Sequence, residues 1–312
     1  MTSYTAKISE DQGKRVRSYL EDRGFSFSQP QYTHFSAKSR ELVVSHYQSG
    51  KLLLQGKGTS DFVEFFLEPE ILKSATVGYE LELDPAQLAP HIGVDESGKG
   101  DFFGPLVVAA AYVNADAARA LSKAGIQDSK NIKSDKKMAD LDKIIAGTPG
   151  CVSDVVVIGN DAYNRLYAKF RNLNNLLAWG HAKAMENVLA KLDPGLPAPE
   201  FILSDQFARS KSTVEKALQE RARSIKLIQK TKAESDIAVA AASVRARARF
   251  VDQMTRLGQK VGITLPKGAS AQVNKAARAI LSAKGQETLD SVCKIHFLTY
   301  QRALDESGQT KK

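Results

Sequence analysis

The chain has 312 residues, 43% of them hydrophobic and 25% charged, globular proportions that exclude disordered and fibrous classes. Lys and Arg outnumber Asp and Glu by 44 to 35, and the resulting +9 suits a polyanionic partner without identifying one. No apolar run approaches the ~20 residues of a membrane span, and MTSYTAKISE holds no apolar signal core, so no membrane association is expected. Two cysteines, Cys151 and Cys293, are too few for a disulfide framework or a thiolate metal site, and they fit a cytoplasmic location.

Charge is unevenly spread. Residues 1–60 carry nine basic and five acidic side chains (+4), 61–84 carry one lysine against seven acids (−6), and the remaining 228 hold +11. This reversal, followed by Pro85 and Pro90, predicts a boundary between domains at 1–85 and 91–312. In the first part, 4–8 reads as a strand and 10–23 as a helix with Val16, Tyr19 and Leu20 on one face and Gly24 at its C-cap. Runs at 32–36, 41–47 and 51–56 read as strands, the last two joined by Gln48-Ser49-Gly50. Ser60 is placed to cap a helix over 61–72 with acids in its first turn. The order implies a small α+β unit, one curved sheet backed by helices.

From 91 the pattern becomes α/β. Strands are expected at 91–95, at 105–113 (nearly all apolar, as buried strands are) and at 153–158. Helices are expected at 115–124, 134–146 and 172–192. A strand at 200–204 ends at Asp205; a helix at 212–222, a strand at 224–229 and an Ala- and Arg-rich helix at 235–257 follow. Together they predict a mixed sheet flanked by helices, with 258–312 helical and looped.

Val94-Asp95-Glu96-Ser97-Gly98-Lys99-Gly100-Asp101 follows the first of these strands. It fits a phosphate-binding P-loop from Gly93 until Gly100 replaces the metal-binding hydroxyl. Two carboxylates inside the loop would repel phosphates and a strand follows, which argues against that reading. Asp95 and Glu96 read instead as metal ligands, brought to one site where the strand ends and twists, with Gly98 and Gly100 permitting the departure. Asp205 at a second strand end, and Glu234 or Asp236 at the head of the Ala-rich helix, complete a candidate set. Carboxylates ~4 Å apart repel by roughly 4 kcal/mol at an effective dielectric of 20, so four of them call for divalent cations. Oxygen-only ligation suits Mg²⁺ or Mn²⁺, and a metal pair suits in-line phosphodiester hydrolysis. Taken singly, each acid is more readily a solvated cap, and only the set as a whole argues for a metal site.

The segment Gly93-Val94-Asp95-Glu96-Ser97-Gly98-Lys99-Gly100-Asp101, with Gly104-Pro105-Leu106-Val107-Val108-Ala109-Ala110 after it, resembles the type 2 ribonuclease H enzymes, specifically ribonuclease HIII. Asp128-Ser129-Lys130, Leu203-Ser204-Asp205-Gln206-Phe207, and Lys232-Ala233-Glu234 with Ala240-Ala241-Ala242-Ser243 follow in the family's order over most of 91–250. The unit ahead of them resembles the TATA-binding-protein-like domain that ribonuclease HIII carries and ribonuclease HII lacks. The resemblance implies a ribonuclease H-like catalytic domain behind a substrate-binding one. It implies a monomer that hydrolyses the RNA strand of RNA–DNA hybrids, leaving 3′-hydroxyl and 5′-phosphate ends. Asp95, Glu96, Asp205 and a fourth acid would hold two Mg²⁺ or Mn²⁺ ions; Glu234 is favoured because Lys232-Ala233-Glu234 matches the family's Lys-Gly-acid pattern, with Asp236 as the alternative.

The resemblance also assigns Gly98, Lys99 and Gly100 to the 2′-hydroxyls of the RNA strand, where a backbone without Cβ atoms approaches the shallow minor groove. Lys99 is equally readable as a solvated surface lysine, and Ser129 and Lys130 as substrate contacts or as a turn. Two other readings are ribonuclease HII-like incision at a single ribonucleotide embedded in DNA, and a nucleic-acid-binding module without catalysis. Lys211, Lys216, Arg221, Arg223, Lys226, Lys230, Lys232, Arg245, Arg247 and Arg249 form a candidate phosphate track. Trp179 reads as core, and His46 and His181 as core or surface residues without legible partners. Aromatics and lysines interleave in the first unit, where one sheet face must pack on helices and the other is predicted to bind substrate.

Overall fold

Alternation of side chains decides the first sheet. Strands β1 (Ser3–Lys7), β2 (Ser26–Ser28), β3 (Thr33–Lys38), β4 (Val43–Tyr47) and β5 (Lys51–Gln55) pair antiparallel in the order β1-β5-β4-β3-β2. Helix α1 (Glu10–Glu21) starts at a reciprocal Ser9–Gln12 cap, and α2 (Thr59–Phe62) runs on into a π-helical stretch, Val63–Leu72. Phe35, Ala37, Val44, Leu52 and Leu54 form one core with Val16, Leu20, Phe62, Val63 and Phe66 of these helices. The opposite face keeps the register row Ser36, Ser45, Leu53 and Thr5, beside the pair Lys51 and Lys7. Ser60 does not cap a helix: α2 begins at Thr59 behind Gly58, with no side-chain cap. Pro69 lies inside the π-helical stretch, where it has no N–H to give a regular ladder.

The second sheet comprises β6 (His91–Ser97), β7 (Leu106–Val113), β8 (Cys151–Ile158), β9 (Phe201–Asp205) and β10 (Lys226–Lys230), in the order β10-β9-β6-β7-β8. Pairings β6–β7 and β7–β8 are antiparallel, β6–β9 and β9–β10 parallel. Its helices are α3 (Pro85–Leu88), α4 (Ala115–Lys123), α5 (Asp135–Gly147), α6 (Asn160–Phe170), α7 (Leu173–Lys191), α8 (Ser212–Ala217), α9 (Glu220–Arg223), α10 (Ile237–Val261), α11 (Ala271–Lys284), α12 (Gln286–Asp290) and α13 (Leu298–Glu306). Every residue of β7 is buried. Helix α7 covers one face: Ile92, Val94, Val108, Ala110 and Tyr112 pack with Leu177, Ala184 and Met185. Helix α10 covers the other, so closely that a Cβ on Gly93 would lie 2.1 Å from the Val239 nitrogen.

This computed structural model describes residues 3–73, 85–132, 134–206, 212–231 and 233–306. Two compact units are distinguished, Met1–Asp84 and Pro85–Lys312. Sequence reading gave no helix over α6, and the expected 212–222 helix is broken between α8 and α9. The Ala-rich helix starts at Ile237 rather than 235 because the Asp236 carboxylate accepts from the Ala238 and Val239 nitrogens. Among the described residues, no helix is long and apolar enough to cross a membrane.

Candidate active site

Strand parity sorts the predicted acids. Parallel β6 and β9 pair through Val94 and Ser204, so Asp95 and Asp205 follow one step on, on the face that α10 covers. Glu234 lies in the single 3₁₀ turn Ala233–Ser235 leading into α10. Glu96 points to the other face, toward α7. The expectation that the strand ends at this point is corrected: β6 stays paired with β7 through Ser97, and the turn comes at Gly98. Among the described residues, no three His, Cys, Asp or Glu side chains are closed into a metal cage.

The electrostatics follow from this placement. Burial, with the Glu96 charge beside it, raises the Asp95 carboxyl above the ordinary carboxylate range, against the pull of Ser243 and His181. Burial pushes Glu96 up as well, but its hydrogen bond to His181 and the charges of His181 and Lys99 outweigh that and hold it low. Burial pulls the Lys130 ammonium down, yet Asp128, Asp95, Glu234 and Asp205 together raise it. One lysine thus feels three of the four predicted acids.

Asp236 is differently employed. Besides capping α10, both its oxygens lie 3.1 Å from His91 Nε2, whose Nδ1 is 2.6 Å from the Ala89 carbonyl. Two acceptors at one imidazole require both nitrogens to carry hydrogen, so His91 and Asp236 form a buried ion pair. Ser129 is also turned inward. Its hydroxyl is 2.8 Å from that of Ser243, which donates to Asp128.

The two glycines flanking Lys99 differ. Gly98 has φ +90°, and a Cβ there would lie 2.3 Å from the Pro105 carbonyl, whereas one on Gly100 would meet nothing within 4 Å. Packing demands the first glycine; the second leaves bare backbone at an open surface. Lys99 Nζ lies 3.7 Å from Glu96 Oε1. Lys294, fully buried, holds the loop beyond by donating to the carbonyls of Asp101 and Gly104, both at 2.7 Å.

Residues 92–300 match the ribonuclease HII family, and residues 5–77 match a domain of unknown function (DUF3378). Ribonuclease HIII of Chlamydia felis is 45% identical over 308 residues, covering 98% of this chain and 99% of the relative. The chain belongs to the ribonuclease HIII family. The family's Chlamydia pneumoniae member is 46% identical over 299 residues, 95% of this chain and 96% of its own. The solved structure of Bst-RNase HIII in complex with Mn²⁺ aligns at TM-score 0.66 and 28% identity, over 99% of this chain and 100% of that one. As expected from the Gly98-Lys99-Gly100 segment and the unit preceding it, the chain is a ribonuclease H enzyme with a ribonuclease H-like sheet and a small N-terminal β-rich domain.

For this ribonuclease HIII chain the phosphate track shrinks. Arg245, largely buried, pairs with Asp142 of α5 at 2.8 Å and serves internal packing, whereas Arg221 pairs with Glu186 of α7 at 2.9 Å but keeps its side chain largely exposed. Arg223 donates to the Leu218 carbonyl; Lys211, Lys232 and Phe207 lie outside the described residues. His181, whose partner the sequence did not show, is fully buried with Nε2 3.0 Å from Glu96 Oε2. The available signal was a lone polar residue among Ala178, Gly180, Ala182 and Ala184 on a packed helix face.

Proposed function

We propose that this ribonuclease H cleaves the RNA strand of RNA–DNA hybrids with two Mg²⁺ or Mn²⁺ ions held by Asp95, Glu96, Asp205 and Glu234. Products carry 3′-hydroxyl and 5′-phosphate ends, and the enzyme acts as a cytoplasmic monomer. The observation that carries the reading is Asp95: a desolvated carboxyl raised by burial and by Glu96, level with Asp205 one step past the Val94–Ser204 pair. Such a set of hard oxygen donors with surplus negative charge in a low-dielectric site suits divalent cations. Bst-RNase HIII was solved in complex with Mn²⁺. Asp236 is committed to His91 and to the α10 cap, which favours Glu234 as the fourth ligand. What paired cations supply when bound is an activated water and a stabilised leaving 3′-oxygen.

The chain's own residues do the rest. Lys130 offers a cation to the phosphate beside the acids, and the Gly98–Gly100 backbone reads the 2′-hydroxyls. In the N-terminal unit, the open sheet face with its hydroxyls and lysines grips the duplex backbone without reading bases. The test is cleavage of labelled duplexes holding a long RNA stretch or one ribonucleotide, with and without Mg²⁺. Multiple Mg²⁺-dependent cuts within the long stretch support the reading. Binding without product, or cutting confined to the single ribonucleotide, refutes it. Asp205→Asn should lower kcat more than ~100-fold while hybrid affinity stays within a few-fold; retained activity would remove Asp205 from the site.

A further inference from the structure

Resting on the reading of Glu96 and Asp205 as cation ligands, we propose that His181 is a positioning residue that sets the Glu96 carboxylate and ties it to the strand end carrying Asp205. Helix α7 lies close against the sheet, since a Cβ on Gly180 would stand 2.9 Å from Val108 Cγ2. In that dry layer the fully buried imidazole reaches polar groups on two strands. Nε2 lies 3.0 Å from Glu96 Oε2 on β6, and Nδ1 lies 3.2 Å from the Ser204 hydroxyl on β9. A carboxylate only accepts, so Nε2 carries the hydrogen. Ser204 immediately precedes Asp205, and its hydroxyl is 3.2 Å from the Asp205 carbonyl.

The ring is therefore a crossbar between the two strand ends. Glu96 needs one more than its neighbours do. It leaves the sheet on the face opposite Asp95, with a longer side chain, and a fixed donor removes the rotamer freedom that cation binding would otherwise have to remove.

Three variants of the full-length protein test this. Gln at 181 carries its amide nitrogen where Nε2 lies and keeps the Glu96 bond. Asn carries one where Nδ1 lies and keeps only the Ser204 side; Leu keeps neither. Mn²⁺ affinity is measured by calorimetry without nucleic acid, beside kcat, KM and thermal midpoint on the same preparations. His181→Asn and His181→Leu are expected to lose ~10–100-fold in Mn²⁺ affinity, with KM for hybrid little changed, and His181→Gln to stay within about three-fold of wild type. Affinities for Asn and Leu within two-fold of wild type would overturn the proposal, as would a Gln variant no better than Leu, which marks mere packing. If His181→Leu does not fold, the Gln and Asn pair decides. Wild type that binds Mn²⁺ but leaves hybrids uncut refutes the ribonuclease reading alone, with His181 still judged by affinity; wild type that binds no Mn²⁺ overturns both.

Discussion

At the scale of single residues, two acids two positions apart have opposite employment. Glu234 sits in the turn before α10, in the field felt by Lys130, whereas Asp236 caps the helix and neutralises His91. Glu234→Gln is expected to cut kcat at least ~100-fold with an unchanged thermal midpoint. Asp236→Ala is expected to lose about 3 kcal/mol of stability, because it strands a buried imidazolium and removes a cap. Parallel rate assays and urea titrations check the contrast. The same pair gives a pH dependence. Burial pulls His91 down, but Asp236 outweighs it and raises the imidazole above its ordinary value near 6.5. The folded state therefore holds the proton more tightly than the unfolded one. Its stabilisation is fully present below about pH 6.5 and is lost as pH rises through the raised value. The stability advantage of wild type over His91→Gln should narrow toward alkaline pH, and a gap independent of pH would refute the ion pair.

Among elements, the approach of α10 to β6 sets how near the head of that helix comes to Asp95. Gly93→Ala should destabilise by roughly 1–3 kcal/mol, because the new methyl would meet backbone at Val239 rather than a movable side chain. Gly98→Ala should be comparably costly, from its φ of +90° and the Pro105 carbonyl. Gly100→Ala, pointing into open space, should leave the urea midpoint unchanged and raise KM for hybrids. Equal stability losses at 98 and 100 would show that the loop is held differently. Some of these elements were legible and others were not. The unbroken apolar run of β7 announces a strand buried on both faces, while α6 escaped notice because its apolar positions are mostly Ala and Tyr interleaved with polar residues: Ala162, Leu166, Tyr167 and Phe170 pack on the core only partly buried, and Asn160 and Tyr163 are the buried ones.

On the scale of the whole molecule, charge is divided between two compact units. Removing residues 1–84 is expected to raise KM for hybrids at least ~10-fold, with kcat little affected, and to flatten the dependence of binding on salt because fewer phosphates are neutralised. Unchanged affinity in a filter-binding salt series would deny the N-terminal unit its role.

Local chemistry in the sequence was enough to determine the α/β class, the family and the acids Asp95, Glu96, Asp205 and Glu234 as candidates, because ligand type and glycine placement are written in consecutive residues. Partnership was decided only by the tertiary structure. Asp236 and His91 stand 145 positions apart, and Glu96 and His181 stand 85 apart. No periodicity reports such distances, since they arise when parallel β9 comes to lie beside β6 and two helices close on opposite faces of the sheet. Arg245, readable as a phosphate contact, turns inward for the same reason. A charge's partner is chosen by the packing around it, and packing is a property of the assembled sheet.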